Sequence, residues 1–83
     1  MVNINDLTER IGFTDLALAS YLSLNFPILE LSTQDGVKYE FIFLKSTQLE
    51  ESISEFYSNK AQVNPLSYFN AIKNLKGRIY SRN

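Results

Sequence analysis

Apolar positions along the chain repeat at two spacings, and the change from one to the other divides it into elements. Over residues 65–80 the apolar side chains Leu66, Phe69, Ile72, Leu75 and Ile79 recur at steps of three and four, with Tyr68 on the same side. That is one face of an amphipathic helix. Its start is well specified. Asn64 is an N-cap whose side-chain carbonyl accepts from the free N–H groups of the first turn. Pro65 follows where a missing N–H costs nothing, and Val63 packs on Tyr68 as a hydrophobic staple. The spacing predicts a helix over about 65–80.

Upstream, Thr14 as N-cap, Asp15 in the first turn and the Phe13–Leu18 staple begin another helix. Its run from Leu16 to Leu24 is apolar around much of the circumference, so it is expected to be buried on more than one side. Asn25 and Pro27 end it. The period then becomes two: Leu29 and Leu31 share one face, Glu30 and Ser32 the other. Asp35-Gly36 is a hairpin signal, because glycine accepts a positive φ. The return strand, over 37–45, places Val37, Tyr39, Phe41 and Phe43 on one face. Lys38 and Glu40 lie on the other, where Ile42 and Leu44 join them, so the far end is apolar on both sides and calls for a cover. Thr47-x-x-Glu50 is a capping box, followed by the stripe Leu49, Ile53, Phe56 and Tyr57 and by Asn59 as a left-handed exit.

Residues 1–12 allow two readings. Ile4, Leu7 and Ile11 have helical spacing and Gly12 supplies a stop, whereas Val2 and Ile4 alternate with Asn3 and Asn5 like an edge strand. The favoured one is a loose arm with a short helical turn near residues 6–11. The expected fold class is α+β: a helix, a β-hairpin, then two helices packed on one face of a small antiparallel sheet, with residues 13–83 forming a single domain. A two-stranded sheet is marginal and has two open edges. Either the N-terminal residues add a strand, or a homodimer joins two hairpins into a four-stranded sheet.

Composition narrows the chemistry. Cysteine and histidine are both absent, which removes disulfides, thiolate zinc sites and histidine acid–base schemes. The expected compartment is the cytoplasm, with no membrane partner, since no apolar run is long enough to span a bilayer. Net charge is −1 but unevenly spread. Residues 1–59 hold all nine acids against three cations, whereas residues 60–83 hold five cations and no acid. Cations in the last turns of a helix complement its dipole, the bland explanation; a polyanion-binding end is the sharper one.

Three constellations follow. Glu50, Glu51 and Glu55 can hold a divalent cation weakly, but a solvated helix start accounts for them, and no metal, cofactor or catalytic residue is expected. Lys73, Lys76, Arg78, Tyr80 and Arg82 combine cations and aromatics as nucleic-acid surfaces do, although Lys73 and Arg78 lie far apart around the helix. Phe26, Ile28, Ile42 and Leu44 are apolar in excess of what so small a domain buries, and such surplus marks a protein contact.

The pattern Phe13-Thr14-Asp15-Leu16-x-Leu18-Ala19, then Lys38-Tyr39-x-Phe41-x-Phe43, then Asn64-Pro65-Leu66-x-Tyr68-Phe69-Asn70-x-Ile72-Lys73-x-Leu75-Lys76-x-Arg78-Ile79-Tyr80 resembles a small uncharacterised domain family of bacteria and their phages. The likeness spans about residues 13–80. It implies a short accessory protein of a bacterium, phage or mobile element and carries no functional residue with it. The expected function is a non-enzymatic interaction module that self-associates as a homodimer or docks on a larger protein. The alternative is a nucleic-acid-binding accessory that uses the basic C-terminal helix.

Overall fold

The computed structural model describes residues 9–81. Strand β1 (Arg10–Phe13) leads to helix α1 (Leu16–Ser23), the hairpin strands β2 (Glu30–Ser32) and β3 (Glu40–Leu44), and helices α2 (Thr47–Tyr57) and α3 (Pro65–Ser81). The sheet is antiparallel in the order β1-β3-β2. Strands β1 and β2 therefore run the same way, with β3 inserted between them and α1 as the crossover.

Register explains the one-sided packing. Phe13 and Ile11 of β1 pair with Phe41 and Phe43 of β3, and Leu31 of β2 pairs with Phe41. Alternation puts these side chains on one face, where Phe41 and Phe43 are fully buried and the Phe13 and Phe43 rings lie 6.1 Å apart. Leu18 and Leu22 of α1, Leu49 of α2 and Leu75 of α3 complete the core. Helix α1 touches β1, α2 and α3, and its residues Leu18–Leu22 are all buried. That matches its nearly unbroken apolar surface.

The other face of the sheet carries Arg10, Gly12, Glu30, Ser32, Glu40, Ile42 and Leu44. Arg10 reaches across the central strand to Glu30, at 3.8 Å. A Cβ at Gly12 would stand 2.7 Å from Ile42 Cδ1. Gly12 is thus in the sheet to leave room for Ile42, and not at a helix end.

The structure corrects four local expectations. Arg10 and Ile11 belong to a strand instead of a helical turn, because their pairing with Leu44 and Phe43 packs Ile11, half-buried, against the core; Val2, Ile4 and Leu7 lie outside the described residues. The hairpin turn is wider than an Asp-Gly pair. Asp35 accepts from the N–H groups of Val37 and Lys38, both at 2.9 Å, and Thr33 Oγ1 accepts from Gly36 N at 2.9 Å. Donors engaged in this way are lost to the ladder, so β3 begins only at Glu40. The Lys38 and Val37 bonds also hold the Asp35 carboxyl below its ordinary value. Finally, two caps sit one residue from their expected places. Asp15, not Thr14, accepts from Ala17 N and Leu18 N at 3.0 and 3.3 Å, and Ser46, not Thr47, accepts from Leu49 N at 3.1 Å. Asn64 caps α3 as its sequence predicts, accepting from Ser67 N at 3.0 Å. Asn59 leaves α2 with a φ of 63°.

One polar group stands out in the core. Ser20 is completely buried on α1, and its hydroxyl has no hydrogen-bond partner among the described residues. An orphaned hydroxyl costs about 1–3 kcal/mol. Ser20→Ala is therefore expected to raise the urea midpoint, with a gain of about 1 kcal/mol at unchanged m-value. A lower midpoint would show that Ser20 is bonded.

Candidate functional site

Helix α3 positions most of the candidate side chains. Its sequence has two apolar phases. Tyr68, Leu75 and Ile79 pack against the core, and the Tyr68 hydroxyl donates to the Ala17 carbonyl at 3.0 Å, tying α3 to α1. Burial first, then the Asp15 charge, raises the Tyr68 pKa above its ordinary 10.0.

The second phase is not covered. Leu66 is 66% exposed, Phe69 57% and Tyr80 71%. With Lys73 and Lys76 they recur at steps of three and four, which a 3.6-residue repeat places in one row along the helix. Lys73 Nζ sits 5.5 Å from the centre of the Phe69 ring, within cation–π range. Ile72, half-buried, lies between the row and the docked face.

On the opposite flank runs a groove of about 440 Å³. One wall is Leu24, Phe26, Pro27 and Ile28, from the segment joining α1 to β2. The other is Ser67, Asn70, Asn74 and Arg78 of α3, above a floor of Ala71 and Leu75. No acid lines it.

The expected site residues are thus divided. Of the basic-aromatic set, Lys73, Lys76 and Tyr80 share the exposed row. Arg78 faces the groove, about 140° around the axis from Lys73, and Arg82 lies outside the described residues. Of the apolar set, Phe26 and Ile28 pack against the core while lining the groove. Ile42 and Leu44 are on the outer sheet face, Ile42 half-buried over Gly12 and Leu44 43% exposed. The four do not form one surface. Sequence reasoning assigned Leu66 and Phe69 to the docked face and passed over Ser67, Asn70 and Asn74. The signal was present: positions 66, 69, 73, 76 and 80 keep their own three-four repeat, out of phase with 68, 75 and 79.

Among the described residues, Lys73, Lys76 and Arg78 have no ion-pair partner; Lys45 bridges Glu9 and Glu50, at 3.5 and 4.0 Å. No three acidic side chains among the described residues gather to hold a metal, and no helix there is long and apolar enough to cross a membrane.

The Tyr68 contact gives a pH test. A raised folded-state pKa means that the protonated hydroxyl contributes stability below pH about 10, lost as pH rises through the folded value. Tyr68→Phe is expected to cost about 1 kcal/mol at pH 7. The difference from wild type should shrink in urea titrations above pH 10, and a constant difference would contradict the bond.

Compared with known proteins, the chain matches no curated protein and no solved structure. A family model does match, over residues 8–81. The matched span takes in Arg10–Gly12 of β1, which the resemblance over about 13–80 left out, and every other element of the fold. The chain belongs to that family, described as a domain of unknown function (DUF5659).

Proposed function

We propose that the protein is a non-enzymatic interaction module that self-associates through the exposed row of α3. It would serve as an accessory protein of the kind found in a bacterium, phage or mobile element. The observation that carries this reading is the exposure of Leu66 and Phe69, at 66% and 57%, on a helix whose other face is already docked. Surplus apolar surface of this kind is the usual mark of a protein contact.

The row also has the spacing of an interhelical seam. Two antiparallel copies related by a two-fold axis near Lys73 bring Leu66 against the second copy's Tyr80, and Phe69 against its Lys76. The second pairing places a cation over an aromatic ring. Lys73 then approaches its own counterpart, the one like-charge contact in the seam. Edge pairing of the hairpin is the less favoured route, because β2 has only three residues and short edge strands resist pairing.

A nucleic-acid accessory is the second reading, favoured by Lys73, Lys76 and Tyr80 sharing that row with no acid between residues 60 and 83. The two differ in sign. Self-association through α3 strengthens with salt, which screens Lys73 from its copy, whereas polyanion binding weakens steeply. Sedimentation equilibrium is expected to show a dimer that Phe69→Asp abolishes and that Lys73→Leu tightens about tenfold. A monomer in both wild type and Lys73→Leu would overturn the proposal. Oligonucleotide binding that falls with salt and with Lys73→Leu would install the second reading.

A further inference from the structure

We infer that the groove between α3 and the α1–β2 segment takes an extended peptide of about five residues, with an acidic side chain lying against Arg78. This is a second binding site, on the flank of α3 away from the row described above.

The polar wall is built for backbone recognition. Asn70, Asn74 and Arg78 are spaced four residues apart, hence about 6 Å along the helix. In an extended chain, groups on one side recur about every 6.6 Å. Each asparagine amide offers both a donor and an acceptor, so successive amides match the N–H and C=O groups of alternate residues. Among the described residues the side chains of Asn70 and Asn74 have no hydrogen-bond partner in the protein and remain available. From Ser67 to Arg78 the wall runs about 16 Å, the length of about five extended residues.

The rest of the groove sets what the peptide carries. Facing the amides, Phe26 and Ile28 offer an apolar strip, which receives the side chains that alternate away from α3. Arg78 closes the end with a guanidinium that has no ion-pair partner among the described residues, none of which brings an acid to the cavity lining. A guanidinium fork binds carboxylate through two parallel bonds, a geometry that an ammonium lacks. The complement is therefore acidic at that end and apolar at alternate positions. Ala71 and Leu75 form the floor beneath the two walls.

The test uses fluorescein-labelled, amidated pentapeptides with apolar residues at alternate positions and glutamate at one end, read by fluorescence anisotropy against the full chain. The same peptides with glutamine in place of glutamate are the comparison. Binding is expected to be about tenfold tighter for glutamate, to weaken about tenfold in Arg78→Gln, and to weaken also in Asn74→Ala. Both residues are exposed, so the variants should keep the wild-type melting temperature. Phe69→Asp should leave peptide binding unchanged while removing self-association, which separates failure of this site from failure of the row. No binding by any peptide, or binding indifferent to Arg78→Gln or to the glutamate–glutamine exchange, overturns the inference.

Discussion

Burial of α1 is the constraint on which the rest of the molecule depends. Five consecutive residues, Leu18–Leu22, are removed from solvent, and a helix covers that much of its circumference only when it has neighbours on several sides. The sheet supplies one side through Phe41 and Phe43, α2 another through Leu49, and α3 a third through Leu75. β1 belongs to the same arrangement. Without it β3 would be half of a bare hairpin, a marginal structure in water, and Ile11 and Phe13 would not reach the core.

The elements that cover α1 keep exposed apolar side chains on their outer sides. Helix α3 spends its Tyr68–Leu75–Ile79 face on α1 and presents a second face made of Leu66, Phe69, Lys73, Lys76 and Tyr80. Its third flank meets the α1–β2 segment only in part, which leaves the groove beside Arg78. One helix thereby holds the core together and carries both candidate binding surfaces. Substitutions along it are informative because the three faces are separable: Ile79 reports on folding, Phe69 on the row, Arg78 on the groove.

Much of the fold was legible in the sequence because its signals are local. The Asn64–Pro65 start of α3, the Asn59 exit, the alternation through Phe41 and Phe43, and the all-round apolarity of α1 each depend on near neighbours. What could not be read depended on distant partners. Arg10–Phe13 alternates over only two apolar positions, Ile11 and Phe13, and becomes a strand through β3, more than 25 residues away in sequence. Gly12 looks like a helix stop until Ile42 lies across it. The two surfaces of α3 were hidden for a related reason. Leu66 and Phe69 were placed with Ile72 and Leu75 because a single apolar stripe was fitted where the helix has two phases. The amides of Asn70 and Asn74 carry no signal until Phe26 and Ile28 are known to face them.

The most direct measurement of the account is oxidative cross-linking of Lys73→Cys in a chain that has no other cysteine. If two α3 helices pair through the exposed row about an axis near residue 73, the two introduced thiols come within disulfide range, Cα atoms about 4.4–6.8 Å apart. A covalent dimer should form readily, while Asn74→Cys, one residue along and turned toward the groove, should stay monomeric. Equal cross-linking at both positions, or none at residue 73, would contradict the account.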